Sequence, residues 1–334
     1  MRAAAALALY AAAGLACADP APRPALMAPL APQSTLLGLA VAGERLVAVG
    51  QRGHILVSAD GHEWTQVAVP VNAMLNRVRF RDAKAGWAVG HDATILATTD
   101  GGATWTLQHF DPEGRPLYDL IFLDDGRIAA IGGYGSYLVS AGDGARWEPR
   151  SFPVADLGQH FNAVARLNDG SLLIAGERGL LARSDDDGET WQLLDSPYTG
   201  SWFGVLPAGE HGALVFGLRG NLYLAADVTA CPTLDPAGYD AFTRETVPDA
   251  QALAKTGWRP LERPTLESLF SGARDGDGAV LVGVNGVIVR VDPAAGTATR
   301  VDTPARETLN DVLRHGDRWL AVGRRGIQDL GALP

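Results

Sequence analysis

Cysteine is nearly absent: two in 334 residues, and one of them, Cys17, lies in an N-terminal leader. With the leader removed, Cys231 is the single thiol. That excludes an internal disulfide framework and a thiolate metal cage, so packing alone must hold the fold. The seven histidines, His54, His62, His91, His109, His160, His211 and His315, form no His-x-x-x-His or His-Glu-x-x-His grouping. No glycine-rich loop joins a strand to a helix, which removes the usual phosphate cradle. Beyond the first few residues there is no apolar run of membrane-spanning length. No cofactor or metal is therefore expected. Positive charge is also in deficit: the net charge is −10, and −11 once Arg2 is lost, which disfavours nucleic acid or anionic lipid as main partner.

The leader itself is informative. Met1-Arg2, the alanine- and leucine-rich run 3–13 and Ala16-Cys17-Ala18 resemble a secretory signal peptide over 1–18, cleaved to leave Asp19 first. Gly14-Leu15-Ala16-Cys17 also approximates a lipobox, with glycine where an aliphatic residue is usual. Export to the periplasm is the expectation, and lipid anchoring through Cys17 is the alternative.

What the chain does have is repetition. Gly-x-x-Gly after an apolar strand recurs seven times, starting at Gly50, Gly90, Gly132, Gly176, Gly217, Gly283 and Gly323, with gaps of 40, 42, 44, 41, 66 and 40 residues. That period belongs to four-stranded propeller blades. Each copy reads as strand, two-residue tip, strand. Glycine is expected there for the positive φ of a tight hairpin, a rule that Ala93 breaks in copy two. An apolar run lies upstream (Asn76–Phe80, Asn162–Val164, Asn310–Leu313), and a tryptophan opens a fourth strand downstream: Trp64, Trp105, Trp147, Trp191 and, after an insertion over 225–257, Trp258. A small antiparallel sheet of this kind buries its two faces only by stacking on its neighbours. The prediction is an all-β, seven-bladed propeller occupying 19–334 as one domain. The last copy leaves no room for a fourth strand, and Ala25–Ala31 is free to supply it, so the ring is expected to close by pairing the N- and C-terminal strands.

Between third and fourth strands stands a second motif, Ser/Thr-x-Asp-x-Gly-x-Thr-Trp. It is complete at Thr98–Trp105 and Ser184–Trp191, and shortened or decayed at Ser58–Trp64 and Ser140–Trp147. Asp and Ser/Thr oxygens accept from turn amides, glycine relaxes the turn, and the indole packs beneath. Asp60, Asp100 and Asp186, with Trp64, Trp105 and Trp191, are thus structural. One per blade, the carboxylates stand apart around a rim, whereas glycoside hydrolysis needs two within about 10 Å. This is the Asp-box or BNR repeat, and Gly86-Trp-Ala-Val-Gly90 followed by Thr98–Trp105 resembles the Ycf48/Hcf136-type family, over the repeats from about Thr35 onward. The resemblance implies a non-catalytic propeller that assists assembly of a membrane complex, photosystem II in phototrophs, by binding a protein subunit.

Sialidases carry Asp boxes too, so a sialidase-like glycoside hydrolase is the alternative. It would need an arginine cluster with a tyrosine-carboxylate pair at the propeller centre, and no Phe/Tyr-Arg-Ile-Pro segment precedes the first box. A third class, a carbohydrate-binding propeller, would rest on exposed aromatics such as Trp202. One polar pattern points to protein binding. The residue before the second glycine is Arg52, Arg178, Arg219 or Arg325 in four copies, with Arg324 beside the last, and Asp92, Tyr134 or Asn285 in the others. Equivalent turns emerge on one face, gathering a broken arginine ring suited to carboxylates. The expected partner is an acidic segment of a membrane-complex subunit, bound by a monomer with no membrane span of its own. The insertion, with a short helix beginning after Asp249, is expected on the opposite face.

Overall fold

The computed structural model describes residues 21–141, 144–239 and 249–333, so the segment read as a signal peptide lies outside the described residues. Seven antiparallel sheets follow one another along the chain. Their innermost strands are Leu36–Ala42, Leu75–Phe80, Leu117–Phe122, Phe161–Arg166, Trp202–Ala208, Leu269–Asp275 and Leu309–His315. Each pairs with a second strand that ends on the first glycine of a Gly-x-x-Gly turn, and blades one to six add a third and a fourth. The second strands are buried on both faces: Gly86–Gly90, Ile128–Gly132 and Leu172–Gly176 have no exposed residue. This is why they read as unbroken apolar runs rather than as alternation. The core is divided into layers between blades, such as the one joining Val47, Val49 and Ile55 to Val78, Ala88 and Leu96.

The second glycine of the turn has the expected positive φ, 69° to 78° from Gly53 to Gly326, and the first does not. The first glycine is extended, with φ of −175° at Gly50 and −172° at Gly283, a conformation open to any residue. Its constraint is space. A Cβ on Gly50 would lie 2.4 Å from the carbonyl oxygen of Thr35, and one on Gly90 would lie 2.0 Å from that of Met74. That carbonyl sits just before the blade's first strand and accepts the next N–H, as in Gln51 N to Thr35 O (3.0 Å) and His91 N to Met74 O (2.8 Å). Positive φ falls on the following pair, for example Arg52 (56°) and Gly53 (69°), and in copy two on Asp92 (56°) and Ala93 (45°).

Among the described residues no N-terminal strand pairs with blade seven, so the expected closure by strand exchange is not found there. Among the described residues blade seven has three strands, Leu309–His315, Arg318–Gly323 and Gly326–Gly331. The segment expected to complete it is held along blade one instead: Ala25 N donates to Val69 O (3.1 Å), Ala28 N to Gln66 Oε1 (2.8 Å), and Gln66 Nε2 to Leu26 O (3.0 Å). Closure comes from face packing, with Ala31, Leu36, Leu46, Leu320 and Val322 in one cluster. A side-chain clasp reinforces it: Asn310 Nδ2 donates to Leu36 O at 2.8 Å, as Asn76 does to Leu117 O and Asn162 to Trp202 O. Blades seven and one therefore meet as interior neighbours do.

Candidate partner-binding face

Strand alternation puts the turn between second and third strands on the same side of the ring as the segment entering the next blade. Arg52, Tyr134, Arg178, Arg219 and Asn285 occupy these turns in the left-handed region, with φ of 53° to 56°, and all are exposed. Arg324 and Arg325 are also exposed, but on a tighter hairpin in which Gly323 pairs with Gly326, and they reach Glu307 at 3.8 and 3.1 Å. Tyr134 is 51% exposed, with the Arg115 guanidinium 5.5 Å from its ring centre and the His160 ring at 4.8 Å. His160 also approaches Tyr118 (5.6 Å) and Glu177 (3.5 Å), so blades three and four carry a polar-aromatic group beside Arg178. The entering segments add exposed Leu30, Met74, Leu157 and Leu266. With Tyr134, this face holds five of the eight exposed large apolar residues among those described, beside the arginines. Sequence reading found the arginines by their repeat position. It missed the apolar members because they lie in segments of unequal length with no shared register.

The insertion is not confined to the opposite face. It leaves the third strand of blade five at Ala225 and returns at Trp258, both on the Asp-box side. In between, Thr233–Leu234 adds a fifth strand to blade four beside Gln192–Leu194, and Tyr239 Oη donates to the backbone oxygens of Glu177 (3.3 Å) and Arg178 (3.4 Å). Parity of strand connections fixes where such a segment departs, not where it travels. Asp249 caps the helix Ala250–Lys255 by accepting from Ala252 N at 2.8 Å, and residues 240–248 lie outside the described residues. Cys231 is buried in this segment, and burial pushes its thiol up to about 11, far from reactivity.

On the Asp-box side the carboxylates hold turns. Asp100 Oδ1 accepts from Thr98 Oγ1 (2.8 Å) and Thr104 N (2.9 Å), and Oδ2 from Thr104 Oγ1 (2.6 Å). Asp186 repeats this with Ser184 (2.8 Å), Thr190 N (2.8 Å) and Thr190 Oγ1 (2.6 Å). Asp60 accepts from His62 N (2.8 Å) and Glu63 N (3.0 Å). The Glu63 and His62 amides hold Asp60 at about 2, and the Thr104 hydroxyl leads in holding Asp100 at about 2. Burial opposes ionisation at Asp186, but the Thr190 bonds outweigh it and the carboxyl is lowered. Groups ionised this firmly are poor proton donors near neutrality. Trp64 and Trp105 donate Nε1 to Gly61 O and Gly102 O at 3.0 Å; in blade four Tyr137 Oη takes the equivalent Gly188 oxygen at 2.7 Å, above Trp191.

The inner strands enclose a cavity of about 650 Å³ lined by a charge network absent from the sequence reading. Asp311 accepts from Leu39 N (2.9 Å), Arg77 Nη1 (3.0 Å) and Ser271 Oγ (2.6 Å). Asp119 accepts from Arg79 Nε (2.9 Å), Arg79 Nη2 (2.7 Å) and Val164 N (3.1 Å). Burial opposes ionisation of Asp119, but the two arginines outweigh it and lower its carboxyl. The signal was available: Arg77, Asp119 and Asp311 share the third position of an inner strand, where other blades have Gly38, Ala163, Gly204 and Ser271. Among the described residues no tyrosine lines this cavity, and both carboxylates are tied to arginine and backbone, an arrangement unlike the tyrosine-carboxylate pair a sialidase-like centre needs. Trp202 is fully buried with Nε1 on Ser196 Oγ (3.2 Å), so it offers no sugar-stacking surface.

A family model described as photosynthesis system II assembly factor YCF48 matches residues 56–115, a span that contains the Gly86–Gly90 and Thr98–Trp105 motifs. The resemblance drawn from those motifs is thus found independently. The photosystem II assembly lipoprotein Ycf48 of Synechococcus sp. (strain CC9902) is 27% identical over 136 residues, 40% of this chain and 41% of that protein. The photosystem II assembly protein Ycf48 of Thermosynechococcus vestitus is 24% identical over 238 residues, 68% of this chain. The chain thus spans 41% and 58% of the length of these two curated relatives. A solved structure titled YCF48 bound to D1 peptide superposes with a TM-score of 0.66 at 16% identity, covering 94% of this chain and 99% of that one. At that identity the likeness shows the seven-bladed fold.

Proposed function

We propose that this chain is an exported, non-catalytic propeller that binds a protein subunit of a membrane complex and serves its assembly. The observation that carries the reading is the placement of Arg52, Arg178, Arg219 and Arg325, exposed, at one repeat position on the face that also presents Met74, Tyr134, Leu157 and Leu266. Arginine forks with exposed apolar and aromatic neighbours suit an acidic peptide segment with apolar side chains. The matched relatives are named assembly proteins, and one related structure is titled as a peptide complex, which supports the same reading. Bound carboxylates on the partner, a monomeric propeller, removal of 1–18 and release into the periplasm complete the proposal, with anchoring through Cys17 as the other form of export. No helix among the described residues is long and apolar enough to cross a membrane.

Capture from solubilised envelope membranes tests it. Tagged wild-type protein should retain one membrane-complex subunit, and the Arg52→Ala/Arg178→Ala/Arg219→Ala/Arg325→Ala variant should lose it at unchanged melting temperature. Equal capture by both proteins contradicts the assignment of the face.

A further inference from the structure

The central cavity holds more hydrogen-bond donors than the protein satisfies. Asp119 accepts from Arg79 Nε, Arg79 Nη2, Val164 N and Leu120 N, and Asp311 from Leu39 N, Arg77 Nη1, Ser271 Oγ and Val312 N. Every oxygen of both carboxylates thus accepts two bonds, which fills them. The two arginines are not filled. Arg77 donates only to Asp311, and Arg79 adds only Val164 O (3.2 Å) to its fork on Asp119. Arg77 Nη2 and Arg79 Nη1 meet no acceptor among the described residues, and the two side chains remain 18 and 37% exposed. Arg77 Nε is enclosed 3.5 Å from Asp119 Oδ1 without a hydrogen bond.

The opposite wall is apolar. Arg77 and Arg79 belong to blade two and reach blades seven, three and four, whereas blades five and six line the cavity with Phe203, Leu206, Pro207 and Phe270. Phe203 and Phe270 stand edge to face, ring centres 5.4 Å apart, at the second position of their inner strands and so near the mouth on the arginine-turn side. The remaining arginine of the lining, Arg166, is paired with Asp187 at 2.6 Å. A volume of about 650 Å³ with apolar walls and a few convergent polar groups is the form of a small-molecule site.

We infer that the central cavity binds a small organic carboxylate with an apolar body. The head accepts from the free N–H groups of Arg77 and Arg79 as charge-assisted bonds, and the body lies against Phe203, Leu206 and Phe270. The filled aspartates set the selectivity. A head group that must itself donate, such as an amine, finds no acceptor left and is rejected, whereas a carboxylate only accepts. The ligand is held and not converted, since neither aspartate has a lone pair to offer it. The site is separate from the arginine turns and stands whether or not those turns bind a partner.

Fluorine NMR on the full chain tests this with 4-fluorobenzoate as probe. Wild type should give a saturable shift with a dissociation constant of about 1 mM, and 4-fluorobenzylamine should give none. Arg79→Met keeps the stem and removes the donors, so it should weaken the acid about tenfold or more. Phe203→Ala/Phe270→Ala leaves every charge in place and should weaken it about threefold or more, which locates the probe even where Arg79→Met fails to fold. The Arg52→Ala/Arg178→Ala/Arg219→Ala/Arg325→Ala variant should bind the probe as wild type does, so the outcome is independent of the partner face. No saturation by about 20 mM would leave the cavity to solvent and overturn the inference. Equal binding of the amine would overturn it too, as would loss in the quadruple variant with full binding in the cavity variants.

Discussion

Two residues of the repeated turn separate the reasons a chain uses glycine. Gly90 is extended but leaves 2.0 Å between a would-be Cβ and Met74 O, so Gly90→Ala must push two strands apart. A loss above about 2 kcal/mol is expected, in the range of backbone and overpacking lesions. Ala93 is the converse, with φ of 45° and a side chain that fits. Ala93→Gly removes about 1 kcal/mol of left-handed strain and adds about as much unfolded-chain entropy, so its denaturant midpoint should stay within about 1 kcal/mol of wild type. The Asp-box carboxyls give a pH prediction. Their folded pKa values lie below the ordinary 3.8, at about 2 for Asp60 and Asp100. Their stabilisation is therefore complete above that ordinary value and is lost as pH falls through 2. Stability followed between pH 5 and 2 should fall less steeply in an Asp60→Asn/Asp100→Asn variant, and an unchanged slope would assign the acid sensitivity elsewhere.

At the level of elements, the strands were legible because each second strand is an apolar run of five or six residues ended by glycine, and each box names the turn before the fourth. What the sequence hid were contacts without a local signature. The 25–31 segment has the composition of a strand, yet the Gln66 side chain and Val69 carbonyl bind it to blade one. The insertion reads as a loop of the Asp-box face, yet Thr233–Leu234 finds an open edge on blade four and carries Tyr239 to the arginine turn. Both are decisions made by free strand edges, which periodicity does not report. Tyr239→Phe removes only the hydroxyl bonds to Glu177 and Arg178, so the fold should be unaffected while the 177–179 amides exchange faster. Unchanged exchange would mean the insertion does not brace that turn.

The whole molecule is a ring held at its centre. Asp311 joins blade seven to Leu39 of blade one, Arg77 of blade two and Ser271 of blade six, and Asp119 of blade three joins Arg77 and Arg79 to Val164 of blade four. Removing one partner of a buried pair costs about 3–5 kcal/mol when the other is left uncompensated; Asp311→Ala leaves Arg77 only its 3.5 Å contact with Asp119, so a loss toward the lower end, about 3 kcal/mol, is expected. Combined with Arg77→Met it should cost less than the sum of the two single variants, since the charge left behind is gone. Additive losses would show that the network is not what couples the blades. This closure leaves the arginine face as a rigid surface, which is the central claim about function. Its most direct test is the affinity of the captured subunit's exposed segment, as a synthetic peptide, for wild type and for the quadruple Arg→Ala variant across a salt series. Wild-type affinity should fall as salt rises, and the variant should bind at least tenfold more weakly at low salt, about 1.4 kcal/mol, with little salt dependence left. Equal affinities with equal salt slopes would contradict the account.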